Sequence, residues 1–484
     1  MSKLQAIPEP KGFPVLGHMT AIDPDAPVQS LMRLARDLGP IYRLRAFGRE
    51  IIIVSSQELT AELCEESRFR KALHPPLWEL RAVANDGLFT AYDEEPNWGK
   101  AHRLLMPAFG PLGLRNMFNP MLDIAEQMMA RWERFGPSTA IDVADNMTRL
   151  TLDTIALCAF GCRFNSFYQK EMHPFVAAMT GALEEASNRS RLPQRASKLM
   201  LLRNRRFDAD TKTLRNVANA LIEERLSDPR LGERGDLLDV MLTAKDKETG
   251  ETLSRENIGY QMITILVAGH ETTSGLLSFA TFLLLKNPEV LSRLRSHVDS
   301  VLGGDTPTVQ HLHQLKYVEQ VLMETLRLWP TAPAFAVRPL RDTTIGGKYA
   351  LTTDDVLLVL SPVLHRDPTV WDNPEGFRPE RFAPENAEKL PPHAWKPFGT
   401  GRRACIGRGF AMQEATLVLA MMLQRFDIEL AEKRYRLIVG ESLTLKPKGL
   451  LIRARRLDVP AGPSKSRPPQ PRPARSPDHS QARP

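Results

Sequence analysis

The stretch PFGTGRRACIGRGFAM, residues 397–412, decides the reading of this chain. It holds one cysteine, Cys405, with Gly401 four residues before it and Gly407 two after it. A helical pattern, RGFAMQEATLVLAMMLQRF, follows at once. A cysteine just ahead of a helix start feels the positive end of the helix dipole and nearby amide donors, which favour its thiolate. The glycines allow tight bends and let the backbone lie close to a flat ligand. Arg402 and Arg403 can meet anionic groups on such a ligand. Taken alone, Cys405 is a candidate reactive thiol.

Two other segments add to it. In LKYVEQVLMETLRLWP (315–330), Glu324 and Arg327 share a helix face at i,i+3. Val318, Leu322 and Leu326 mark that helix as buried, where an ion pair needs further partners. Arg381, in FRPERF (377–382), is a candidate partner. The second segment, AGHETTS (268–274), lies inside an apolar helical run from Ser254, an N-cap followed by Glu256, to Lys286, where Asn287-Pro288 stops it. The run is apolar enough to invite a membrane span, but His270, Glu271, Thr272 and Thr273 would be costly in lipid. A long buried helix with a polar break is the better reading, and such a break needs a reason because unpaired buried polar groups are costly. A zinc-protease HExxH motif would need His at 274, which is Ser274. An acid beside a hydroxyl in a helix break reads instead as a proton relay to a bound ligand.

In this order, AGHETTS, Glu324–Arg327 with FRPERF, and FGTGRRACIG resemble the cytochrome P-450 family of haem-thiolate monooxygenases. The likeness extends over nearly the whole chain before its tail. It is greatest to the haem domain of bacterial self-sufficient fatty-acid hydroxylases, which carry a fused diflavin reductase. DGLFT (86–90), NWGKAH (97–102), LRLWPTAPAFA (326–336) and LTLKPKG (443–449) carry that closer resemblance. The resemblance implies a mainly α fold with small β-sheets and a long central helix crossing the haem. It makes Cys405 the axial iron ligand, whose thiolate favours O–O cleavage. Phe398 then lies beside the ligand and tunes it, with Gly399 and Gly407 shaping the loop. Thr272, with Glu271 behind it, orders water and proton delivery, and Ala268 and Gly269 leave room. Trp98 and His102, at i,i+4, join Lys71 and Arg403 around the haem propionates. Phe89 stands over the haem and Ala332 near the iron, in an apolar pocket. Arg49, in AFGRE (46–50), matches a channel-mouth arginine able to pair with a carboxylate. The tyrosine that accompanies it in the family is Ile53 here, so one carboxylate donor is lost.

The implied cofactor is haem b, with FAD, FMN and NADPH on a reductase that is either a separate partner or a missing fused domain. The implied reaction inserts one oxygen atom of O2 into a C–H bond of a small hydrophobic substrate, with subterminal hydroxylation of medium- to long-chain fatty acids as the first choice. The alternatives on the same fold are a peroxide-driven peroxygenase, a haem dehydratase, or a monooxygenase of another hydrophobic substrate. The intact Glu271–Thr272 pair favours dioxygen, and no feature supports a non-catalytic haem or lipid carrier.

Composition sets the remaining bounds. The chain has 484 residues and four cysteines, too few for a disulfide scaffold. Cys158 and Cys162, in TIALCAFGC, read as buried inert thiols. More than half of the +7 net charge comes from Lys465, Arg467, Arg472, Arg475 and Arg483 against Asp478, which removes the case for a nucleic-acid partner. Residues 459–484 are Pro-, Ser- and Arg-rich and read as a linker or disordered tail behind a haem domain at 1–458. There is no signal-peptide pattern and no transmembrane segment, so a cytoplasmic address is expected. Strands are expected at EIIIVSS (50–56), at DVLLVLS (355–361) and within 435–457. Helices are expected at 27–39, from an Asn97 cap, over most of 121–160, and at 211–226.

Overall fold

The computed structural model describes residues 4–13, 17–190 and 200–457. The tail at 459–484 lies outside the described residues.

The β-branched run does form a strand. After helix α1 (Pro27–Leu38), β1 (Ile41–Ala46) and β2 (Arg49–Val54) make a hairpin whose turn residues, Phe47 and Gly48, both have positive φ. Two such residues suit the turn that matches strand twist. A third strand, β3 (Phe69–Ala72), opens onto helix α2 (Pro75–Ala84). Next come α3 (Pro96–Leu105), α4 (Pro111–Phe135), α5 (Val143–Phe160), α6 (Pro174–Ser190) and α7 (Leu201–Leu226). The central helix α8 (Arg255–Lys286) and α9 (Lys316–Leu328) follow, then β4 (Ala334–Pro339), β5 (Leu357–Leu360) and α10 (Arg408–Arg425). The strands β1 to β5 make one sheet in the order β1-β2-β5-β4-β3. As expected, the end of the described chain pairs into small sheets, through Ile438–Glu441 with Leu445–Lys448, and Leu451–Arg456 with Phe426–Leu430.

Helix α8 is the axis of the molecule. Ser254 caps it, its hydroxyl accepting the Asn257 N–H at 3.2 Å, and Glu256 sits in the first turn, where the helix dipole favours it. At 32 residues it is about 48 Å long. It packs along α5 and against α9, α10 and α2. Among the described residues no helix is long and apolar enough to cross a membrane.

Several expectations are corrected. Helix α3 begins at Pro96 behind Glu95, not at an Asn97 cap, since Pro fits the first helical position, where its missing N–H has no partner to lose. The Asn97 amide instead donates to Asp86 at 2.7 Å. Helix does cover most of 121–160, in two pieces, because Gly136 turns the chain at φ 70° and Ile141–Asp142 adds a short strand. Helix α7 starts ten residues before 211. The helix around AGHETTS is not broken. Thr272 returns its hydroxyl to the Ala268 carbonyl at 2.9 Å, so the polar residues ride on a continuous helix.

One buried acid stands apart. Glu414, on α10, is fully buried, and neither carboxylate oxygen has hydrogen-bond geometry with a partner, although Thr154 lies beside it. Burial pushes its pKa up to about 8. The folded state therefore holds a proton that the unfolded chain releases near pH 4, so stability falls as pH rises from about 4 to 8. Glu414→Gln should remove that slope and be more stable than the parent at pH 8. Chemical denaturation at a series of pH values would show parallel curves if the idea is wrong.

Candidate active site

Glu324 and Arg327 form the rigid base from which the Cys405 loop hangs. Both side chains are fully buried, and the guanidinium makes two bonds to the carboxylate, at 2.7 and 2.8 Å. Arg327 also donates to the carbonyls of His365, Pro374 and Gly376. Glu324 accepts the Arg378 N–H at 2.8 Å and has Arg381 at 3.4 Å. His365 carries the link onward, its Nε2 accepting the Lys396 N–H at 2.8 Å where the cysteine loop begins. Burial lowers the His365 pKa to about 3, with Arg327 and Arg366 adding to the effect, so the ring stays a neutral acceptor.

Within the loop, the Cys405 N–H donates to the Phe398 carbonyl at 2.8 Å. Gly399 and Gly401 turn the chain at φ 71° and 61°, and a Cβ on Gly401 would collide with the Glu66 carboxylate. Cys405 lies deep in the fold yet presents its surface to an internal cavity. Burial raises its thiol pKa, while the Gly407 amide and Arg408 oppose that rise. Trp395 packs edge-on against Phe398.

The cavity measures about 780 Å³. Cys405, Phe398, Gly399 and Gly407 line it from the loop, and Ala268, Gly269, Glu271 and Thr272 from α8. Lys71, Trp98, His102, Arg403, Phe89 and Ala332 complete the expected set in its wall. Arg49 and Ile53 are not in that wall. Ile53 is 1 % exposed and packs into an apolar cluster with Tyr42 and Leu358, and Arg49 lies over the Trp78 ring at 5.4 Å. Ile53 is therefore a core residue rather than a substrate contact. Gly269 also has a packing role, because a Cβ there would come within 2.8 Å of Ile155, so its smallness lets α8 close on α5.

The acid of α8 is held by groups far away in sequence. Glu271 accepts from Thr444 at 3.0 Å, pairs with Lys446 at 3.1 Å, and has His270 at 3.3 Å. Burial alone would raise its pKa, but Lys446 and His270 outweigh burial and hold the carboxyl well below the usual range. Lys446→Met should move Glu271 back up, so coupled turnover would acquire a new acidic limb. An unchanged pH profile would remove Lys446 from this role.

On the other wall, Arg403 lies over Trp98 at 4.4 Å, and Trp98 stacks on His102 at 5.1 Å. The buried Arg403 Nη1 has no hydrogen bond and meets Asp93 at 3.3 Å. Burial lowers Arg403 to about 10, and burial with repulsion from Arg403 lowers Lys71 well below a normal lysine. Two cations that disfavour each other in a buried wall suit an anionic ligand edge. Sequence reasoning missed Asp93, His365, Thr444, Lys446 and His74, a cavity residue whose pKa burial and Lys71 bring down to about 4.

A profile of the cytochrome P-450 family matches residues 7–454. The chain belongs to the cytochrome P-450 family. A bifunctional cytochrome P-450/NADPH–P-450 reductase of Bacillus cereus is 48 % identical over 453 residues, which cover 93 % of this chain and 42 % of that protein. A self-sufficient cytochrome P-450 monooxygenase of Phanerodontia chrysosporium is 46 % identical over 93 % of this chain and 42 % of its own length. A Bacillus subtilis bifunctional cytochrome P-450/NADPH–P-450 reductase is 47 % identical over 92 % and 42 %. The chain thus spans about two-fifths of the length of these relatives.

The residues present fit the family's haem. Cys405 offers a thiol to the cavity, and ligation would release its proton. Arg403, Lys71, Trp98 and His102 would meet the propionate edge. Cys158 and Cys162 play no part in the cavity wall, and burial raises both thiols. Among the described residues no cluster of His, Cys, Asp and Glu is able to hold another metal ion.

Proposed function

We propose that this P-450 hydroxylates medium- to long-chain fatty acids near the chain end, with electrons from NADPH delivered by a diflavin reductase carrying FAD and FMN. The observation that carries the substrate class is the cavity wall. Leu77, Leu88, Phe89, Leu183, Ala332 and Leu443 line it, while Glu271 pairs with Lys446 and Arg70 with Glu94, and the cations Arg403 and Lys71 belong to the side assigned to the propionates. Such a wall suits an alkyl chain whose carboxylate stays outside, where Arg49 on Trp78 is the proposed partner. The names of the bifunctional relatives support the reductase.

When bound, haem supplies dioxygen activation and oxygen insertion, which its thiolate ligand favours. The chain's own residues place the substrate and manage protons. Thr272, bonded to Ala268, keeps its oxygen as an acceptor on the cavity face. Glu271, held charged, orients donors behind it.

Magnitudes decide what a binding experiment should show. Each buried methylene contributes about 0.8 kcal/mol, whereas an exposed ion pair contributes about 0–1 kcal/mol. Spectral titration with a series of saturated fatty acids should therefore tighten about three- to fourfold per methylene until the chain outgrows the cavity. Arg49→Leu should weaken every member by about fivefold or less. A haem spectrum unmoved by the whole series would exclude this substrate class. Turnover with reductase and NADPH should exceed turnover with peroxide alone, and the reverse order would make the chain a peroxygenase.

A further inference from the structure

The loop that carries Phe89 is tied to α8 by a closed chain of amide hydrogen bonds. Gln261 and Asn257, one turn apart on α8, are 0 % and 1 % exposed. The Gln261 Oε1 accepts the Leu88 N–H at 2.9 Å, and its Nε2 donates to Asn257 Oδ1 at 3.0 Å. Asn257 Nδ2 donates to Asp86 Oδ1 at 2.8 Å, and Asn97 fills the other Asp86 oxygen. Burying two amides in a helix is costly unless their groups are satisfied, and here the bonds they make lead to residues 86–88.

Beyond that chain, the ring meets the Lys71 ammonium, 5.3 Å from its centroid. Phe89 is 41 % exposed and, among the described residues, joins none of the buried apolar clusters. Its carbonyl also accepts from Lys71, at 2.5 Å. Its placement therefore follows the loop backbone, with Lys71 as the added contact. Gly87 confirms how closely the loop lies on α8, since a Cβ there would come within 2.3 Å of the Thr264 hydroxyl. Gln261, Thr264, Ala268 and Thr272 follow one another at helical spacing along the same face, so the loop and the cavity share one edge of α8.

We propose that Gln261 is a positioning residue: through the Leu88 N–H it sets where the Phe89 ring stands and so which ligands and substrate carbons reach the iron. This rests on the reading of Phe89 as the ring that faces the reacting end of the cavity.

The test avoids dependence on the substrate class. In variants whose reduced carbon monoxide spectrum keeps thiolate ligation, the readout is the ratio of spectral Kd values for 4-phenylimidazole and imidazole. Phe89→Ala should change that ratio by opening the space. Gln261→Met and, independently, Gly87→Ala should move it in the same direction by about threefold or more, the low end for coupled contacts. Gln261→Glu, which when protonated reproduces both hydrogen bonds, should keep the parent ratio. Gln261→Met should add nothing in a Phe89→Ala background. A parental ratio in Gln261→Met, or full additivity with Phe89→Ala, would overturn the inference. An unchanged ratio in Phe89→Ala itself would remove the role given to Phe89 and the inference with it. A failed fatty-acid titration leaves this ratio unaffected and counts only against the substrate class.

Discussion

Arg327→Met should destabilise the fold by about 3–5 kcal/mol, the usual cost of stranding one member of a buried ion pair. That is a large share of the roughly 5–15 kcal/mol that holds a native domain together. The variant strands more than Glu324, because the carbonyls of His365, Pro374 and Gly376 lose their donor as well. Unpaired buried acceptors cost about 1–3 kcal/mol each before relaxation. The effect should reach the iron site, since His365 is bonded to Lys396 at the start of the cysteine loop. Thermal and urea denaturation should show the loss of stability, and haem should be retained poorly at temperatures where the parent is intact. Glu324→Met combined with Arg327→Met separates two accounts. If the pair matters only as two charges, the double variant should recover most of the stability. If Arg327 also organises three carbonyls, recovery should be partial. A single variant within about 0.5 kcal/mol of the parent, the range of neutral surface changes, would refute the role given to this base.

What could be read in advance follows the reach of the signal along the chain. The Cys405 loop, the Ser254 cap and the Glu324–Arg327 pair each lie within a few residues of one another, and local spacing exposes such features. Partners of Glu271 do not, because Thr444 and Lys446 meet it from 173 and 175 positions away, and neither has a spacing that points to α8. The same holds for His365, whose LHRD context gives no hint of the loop it secures. Ile53 failed for another reason. Strand β2 lies between β1 and β5 inside its sheet and carries Ile51, Ile52 and Ile53 in succession. A strand covered on both faces shows no alternation, so its sequence does not say which side chain meets a cavity. The Thr272 back-bond to Ala268 explains why a helix rich in polar residues at its centre did not break: the hydroxyl satisfied itself within the helix.

Cys405→Ser should abolish reductase-driven turnover while leaving the loop folded. The substitution replaces sulfur by oxygen with little change of shape, and the contacts that build the loop are backbone ones, from the Cys405 N–H to Phe398 and from Ala404 to Gly401. The chemistry, by contrast, depends on a soft, electron-rich thiolate, and a serine hydroxyl does not ionise in the accessible pH range to replace it. The reduced carbon monoxide complex should lose its thiolate signature in the same variant. Cys158→Ser and Cys162→Ser are the controls. Both thiols are pushed upward in pKa by burial and neither lines the cavity, so both variants should keep the spectrum and the turnover of the parent. If the signature survived in Cys405→Ser, or vanished in either control, the iron ligand would have to be sought elsewhere. Loss in Cys405→Ser alone, with an unfolding transition matching the parent, would tie the chemistry to one sulfur atom held by the Glu324–Arg327–His365 base.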